Sequence, residues 1–180
     1  MKTLIVYYSF TGNNDMLANC LKQQLNCEMV KIETTRKRNG ISVFLDIAFN
    51  RKPSLKPIRY QFAKYDHLIF VAPVWAGKIA MPLKALLMKE AQNIKRYSFI
   101  SICGGGNKAQ KNNITQQLIA AIGHKPDVIT ELWMKKVIDL NQSTGVHHDR
   151  LKMKANDIDV FKREIDGFIE ALSRTELQLT

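Results

Sequence analysis

The chain has 180 residues, 46% hydrophobic and 24% charged, enough apolar content for one substantial core without disulfide or metal staples. Its three cysteines, Cys20, Cys27 and Cys103, form no close metal-type pair, and their odd number argues against a disulfide framework and suits a reducing compartment. The formal net charge of +11 favours acidic partners, anionic substrates or polyanions and carries no information about fold.

Met1-Lys2-Thr3 leads into Leu4–Tyr8, an apolar run too short for a signal peptide and without a cleavage-site pattern after it. Nothing approaches the roughly 20 apolar residues of a membrane span. The expectation is a soluble cytoplasmic protein, folded as a single domain over residues 1–180.

Leu4 to Tyr8 reads as a buried strand that feeds the polar turn Ser9–Asn13. Leu17, Leu21 and Leu25 then recur at helical spacing, with Asn13 or Asn14 available to cap the helix start. Met29 to Glu33 alternates as a second strand, and Ile41 to Phe49 reads as a short helix before the loop Arg51–Pro57. The stretch 34–63 carries no assignable motif. Leu68 to Ala72 is the clearest buried strand; Pro73 stops it and a loop runs through Val74–Lys78. Met81 to Ile94 is a helix with Pro82 in its first turn, where a missing N–H costs little. Ser98 to Cys103 is a further strand, ended by Gly104-Gly105-Gly106, and Ile114, Leu118 and Ile122 mark the helix after it, closed by Gly123. The fifth strand is expected within Glu131–Leu140, around Val137–Leu140, and Ile158 to Leu172 forms an amphipathic C-terminal helix.

Strands alternating with helices imply an α/β three-layer sandwich, a parallel sheet covered on both faces. Ligands of such open sheets bind beyond the carboxyl ends of the strands, at the switch point. The polar turns Ser9–Asn14, Pro73–Lys78 and Cys103–Asn107 all fall at those ends, so function is sought there.

The first loop, Ser9, Phe10, Thr11, Gly12, Asn13 and Asn14, places backbone N–H groups and a helix dipole where they attract an anion. Gly12 permits close backbone approach, and the hydroxyls and amides add donors without cationic charge, as a phosphate monoester requires. It fits neither the Gly-rich dinucleotide pattern nor the Lys-containing phosphate loop, and a capped strand–turn–helix junction is its plain structural alternative. In the second loop, Pro73, Val74, Trp75, Ala76, Gly77 and Lys78, an aromatic face next to a glycine suits a flat apolar ring; otherwise Trp75 is a packing residue and Lys78 a solvated one. In the third loop, Cys103, Gly104, Gly105 and Gly106 let backbone amides pass close to a planar ligand, with Cys103 itself read mainly as a packing residue. His147-His148-Asp149 is a metal or proton-transfer candidate, set against a polar loop.

These loops carry a family resemblance. Ser9-x-Thr11-Gly12-Asn13 after an N-terminal strand resembles the phosphate-binding loop of flavodoxins, whose hydroxyls and backbone amides hold the FMN phosphate; the family usually ends this loop with Thr where this chain has Asn14. Ala72–Leu83 resembles the flavin-facing loop, in which Pro-x-Trp and a following Gly lie beside the isoalloxazine. Cys103–Asn107 falls where such proteins place a second flavin-contacting loop, yet lacks the aromatic that many flavodoxins stack on the other ring face. Trp133 or a partner subunit is a candidate to fill that gap, and a homodimer is one arrangement that would do so.

The resemblance implies a flavodoxin-like fold with five parallel strands in the order 2-1-3-4-5, one FMN, and electron-transfer or oxidoreductase chemistry. It leaves two roles open: a carrier between redox partner proteins, and an NAD(P)H-dependent reductase of a quinone, flavin or other small acceptor. Familiar flavodoxin carriers are acidic, which a net charge of +11 does not match, so an acidic partner surface is expected. The alternative from another class is a non-enzymatic polyanion- or nucleic-acid-binding module using Arg36, Lys37, Arg38, Arg51, Lys52, Lys56 and Arg59, against the single acid Asp46. No recognised nucleic-acid motif accompanies that charge, which disfavours nucleic acid.

Overall fold

The computed structural model describes residues 2–105, 109–143 and 152–177. Five parallel strands form the central sheet: β1 (Thr3–Tyr7), β2 (Glu28–Lys31), β3 (His67–Val71), β6 (Tyr97–Cys103) and β7 (Ile129–Trp133), in the order β2-β1-β3-β6-β7. That is the expected order 2-1-3-4-5 once the small hairpin β4 (Val74–Trp75) and β5 (Lys78–Ile79) is set aside. The helices are α1 (Asn13–Leu25), α2 (Gly40–Phe49), α3 (Met81–Glu90), α4 (Gln110–Ile122), α5 (Met134–Ser143) and α6 (Lys162–Leu177).

Strand periodicity divides the core into two layers. Leu4, Val6, Leu68, Phe70, Tyr97 and Phe99 point to one face and pack with Leu83, Leu87, Ile114 and Leu118 of α3 and α4. Ile5, Tyr7, Ile69, Val71, Ile100 and Ile102 point to the other and meet Leu17 and Leu21 of α1, Val137 of α5, and Ile165 and Phe168 of α6. Successive side chains leave a strand on opposite faces, so a strand buried on both faces must be apolar throughout. All five residues of β3 are buried, and its Phe70 and Ile69 are fully so. Each such side chain contributes about 1.5–3 kcal/mol by leaving water.

Three expectations from the sequence differ from the structure. The fifth strand is Ile129–Trp133, and Val137–Leu140 lies in α5. Met134 and Val137 are three apart and both buried, a helical spacing that outweighs the β-branched Val137-Ile138 pair. Nor do Asn13 and Asn14 cap α1: Gly12 occupies the cap with φ +100°, and both asparagines stand inside the first turn with buried side chains. The C-terminal helix begins later than its periodicity implies, because Ala155–Phe161 forms a tighter 3₁₀ turn ahead of α6.

Candidate functional site

The ends of β1, β3 and β6 lie side by side in the sheet, because β1 pairs with β3 and β3 with β6. Their following loops are therefore neighbours. Two contacts then lock the loops together. The Phe10 ring meets the Trp75 ring edge to face at 5.9 Å between centroids, joining the first loop to the hairpin. The Asn14 amide bonds the Ile102 backbone at the approach to the third loop, donating from Nδ2 to the carbonyl and accepting at Oδ1 from the N–H, both at 2.9 Å.

Within the first loop, Ser9 Oγ accepts from the Gly12 N–H at 3.1 Å, which shapes the turn that presents the start of α1. The N–H groups of a helix's first turn lack intrahelical acceptors, so this end is electropositive. Phe10 is exposed and Thr11 half-buried, so both can reach a ligand at the loop surface. Asn13 and Asn14 cannot offer their side chains in the same way. Asn13 Oδ1 accepts from the Met153 N–H at 3.0 Å, and its Nδ2 lies 3.7 Å from the Met134 sulfur. These side chains fasten the loop to the body of the protein.

The second loop is more ordered than a loop. Val74–Trp75 and Lys78–Ile79 pair antiparallel, with Ala76 (φ 48°) and Gly77 (φ 72°) as a two-residue turn. Positive φ at both turn positions is what a tight hairpin compatible with strand twist demands. Helix α4 fixes this hairpin: the Gly77 carbonyl accepts from Asn113 Nδ2 at 3.0 Å and Gln117 Nε2 at 2.8 Å, while the Ile79 N–H donates to Gln117 Oε1 at 3.2 Å. Pro73 and Val74 are buried, Trp75 is half-buried, and Ala76 and Lys78 are exposed. Trp75 also meets Tyr8 edge to face at 6.2 Å, so its indole makes edge contacts with two aromatic rings.

In the third loop Gly104 and Gly105 are exposed, while Gly106, like His147, His148 and Asp149, lies outside the described residues. Cys103 is buried in the α3–α4 layer, and burial, with the Glu131 carboxylate nearby, pushes its thiol up to about 12. It stays protonated at neutral pH, so only its backbone can serve the site. Trp133 pairs with Cys103 in the sheet register and lines an edge cleft of about 420 Å³ with Phe161 and Glu164.

A Cβ added at Gly12, Gly104 or Gly105 would meet nothing within 4 Å, so these backbones border open space. An electropositive helix end, a rigid aromatic hairpin and an open glycine backbone on neighbouring loops suit an anionic tail joined to a flat ring. Two residues that the sequence did not single out support the arrangement: Asn113 and Gln117 hold the hairpin. The i, i+4 spacing of Asn113 and Gln117 puts both amides on one side of α4, which was the available signal.

No sequence family matches this chain, and no curated protein matches it in sequence. Solved structures do. The flavoprotein of Lactobacillus acidophilus NCFM in complex with FMN is 19% identical over 79% of this chain and 97% of that one, with a TM-score of 0.59. The apo form of the flavoprotein from that organism gives 0.58 over 72% of this chain and 91% of that one, at 19% identity. A WrbA-like flavodoxin protein from Agrobacterium tumefaciens is 13% identical, covers 96% of this chain and 98% of that one, and has a TM-score of 0.52. The chain has the flavodoxin-like fold.

Proposed function

We propose that this protein binds one FMN beyond the carboxyl ends of β1, β3 and β6 and uses it for oxidation–reduction. The observation that carries the reading is the joining of three neighbouring loops by the Phe10–Trp75 and Asn14–Ile102 contacts, with the open backbones of Gly12, Gly104 and Gly105 on two of them. The fold's known relatives add weight: one of them is a flavoprotein solved with FMN.

In this reading the loop Ser9–Asn14 receives the phosphate through the amides at the start of α1 and the Thr11 hydroxyl. Trp75 offers an apolar wall to the ring, and its edge contacts with Tyr8 and Phe10 keep that wall from collapsing into the space. The backbone of Gly104 and Gly105 passes the ring closely because no side chain intervenes. A bound flavin accepts and releases electrons singly or as hydride, and backbone donors near its nitrogens set which redox state is favoured. Electrons are exchanged with a redox partner protein, or with NAD(P)H and a small acceptor such as a quinone or free flavin. The buried Cys103 thiol takes no part.

The test is a visible-absorption titration of the purified protein with FMN, repeated on Trp75→Ala. A perturbed flavin spectrum and saturable binding, weakened about tenfold or more by the substitution, support the site. Absence of binding by the intact protein removes the reading.

A further inference from the structure

Helix α2 is inside out. In a surface helix, apolar residues at i, i+3 and i+7 normally face the core. Here Ile41, Phe44 and Phe49 are 72%, 66% and 70% exposed, and they share an outward stripe with Ala48. Beside the half-buried Val43 and Leu45, Asp46 is the buried residue of this helix, ion-paired with Arg38, whose Nη2 also donates to the Ser42 carbonyl at 3.2 Å. The helix is firmly made despite this inversion. Asn39 and Ser42 form reciprocal capping bonds of 2.9 Å at its start, and Asn50 closes its end in the left-handed region. A preformed apolar stripe of three large side chains is therefore presented to solvent, which marks an interaction surface.

Its surroundings say what kind. Arg36 and Lys37 precede α2, and Arg51 and Lys52 follow it; among the described residues none of the four has an acidic partner. Arg36, Arg51 and Lys52 line a polar cleft of about 410 Å³ beside the helix. That cleft is held open by pairing of Thr34 with Leu55 and by the Thr35 N–H donating to the Ser54 carbonyl at 3.0 Å.

We infer that α2 and its basic flanks form a docking surface for an anionic lipid bilayer. Ile41, Phe44 and Phe49 enter the boundary between headgroups and acyl chains, while Arg36, Lys37, Arg51 and Lys52 meet the lipid phosphates. Among the described residues no helix is long and apolar enough to cross a membrane, so the contact is one of lying on the surface. Charge argues against a second copy as the occupant: stacking two α2 faces would bring the four basic residues of each together. The same basic cluster is what an anionic headgroup layer neutralises.

This inference does not depend on flavin binding and is tested separately from it. The full chain is floated with vesicles of phosphatidylglycerol and phosphatidylcholine, and with vesicles of phosphatidylcholine alone. Binding to the anionic vesicles only is expected, falling when salt is raised from about 0.05 to about 0.5 M. Phe44→Ser with Phe49→Ser, and separately Arg51→Glu with Lys52→Glu, each lower the bound fraction about tenfold, with circular dichroism unchanged because all four side chains are exposed. No flotation with anionic vesicles overturns the inference and leaves an acidic protein as the candidate occupant. Flotation that the two serines leave intact also overturns it, since charge alone would then account for binding. A dimer by light scattering that the serines dissolve, with no flotation, assigns the stripe to a second copy.

Discussion

Asn14 and Ile102 exchange two hydrogen bonds, side chain to backbone, across the gap between the first turn of α1 and the end of β6. Both groups are buried, at 3% and 2% exposure, so neither half of the exchange can be replaced by water. The pair welds the loop proposed to hold phosphate to the strand that leads into the glycine loop. Asn14 thus acts through position: its amide sets where the other donors stand.

Replacing Asn14 by Leu leaves the Ile102 N–H and C=O buried without partners. A loss of about 1–3 kcal/mol in urea-denaturation stability is expected. Asn14→Asp keeps the acceptor and loses the donor, and it sets a carboxylate against the Ile102 carbonyl, so it should be no milder than Leu. A substitution with no effect would mean the exchange is not made in solution.

His67 lies at the opposite end of β3 and gives the fold an acid sensitivity. It is buried, with Nε2 3.2 Å from Ser98 Oγ and 3.4 Å from Asp127 Oδ2, and among the described residues Nδ1 has no hydrogen-bond partner. Burial lowers its pKa from 6.5 to about 4 even though Asp127 pulls the other way. Between these values the unfolded chain takes up the proton and the folded one does not. Stability from neutral His67 is therefore complete above about 6.5 and declines as pH falls toward about 4, by on the order of 3 kcal/mol. Thermal melts from pH 7 to pH 5, a range in which most carboxylates stay ionised, should show the decline, and His67→Gln should flatten it.

The Ala76-Gly77 turn carries a backbone cost that substitution can move either way. Gly77 has φ 72°, and a Cβ there would stand 3.3 Å from Asn113 Nδ2, one of the atoms that hold its carbonyl. Gly77→Ala should cost about 1 kcal/mol and loosen the hairpin. Ala76, at φ 48°, occupies a position better suited to asparagine. Ala76→Asn should raise stability by about 0.5 kcal/mol, read as a higher Tm.

The three cysteines are all free, and their reactivity should differ sharply. Cys103 is buried with its thiol pushed up to about 12, whereas Cys20 and Cys27 are half-buried. A disulfide reagent at pH 8 should leave Cys103 untouched in native protein and reach it only on denaturation. Fast modification of Cys103 would show that the end of β6 opens far more readily than its packing implies.

Much of the architecture was legible in the sequence because β1, β3 and β6 are buried on both faces and so read as unbroken apolar runs. Strand β7 was not, since it sits at the sheet edge: Thr130 and Glu131 interrupt its pattern, and the adjacent Val137-Ile138 imitates a strand. The three candidate loops stand out in the sequence through Gly12, Trp75 and the glycines after Cys103. What stayed hidden was tertiary. An asparagine in a first turn looks like a cap, and only the nearness of Ile102 and Met153 turns Asn14 and Asn13 inward. The hairpin was equally concealed, because its anchors Asn113 and Gln117 lie some forty residues downstream. In α2 the apolar periodicity correctly indicated a helix but not which way it faces; the buried Arg38–Asp46 pair decides that.

The most direct measurement is the affinity for FMN and for riboflavin, by quenching of flavin fluorescence, of the native protein and of Gly105→Val. Gly105 has open space before it, so valine should leave the melting temperature of the apoprotein nearly unchanged while intruding on the ring. FMN should bind more tightly than riboflavin, through the amides at the start of α1, and valine should weaken FMN binding by about tenfold or more. Equal affinity for the two flavins would contradict the phosphate cradle. Failure of the native protein to bind FMN would contradict the account as a whole.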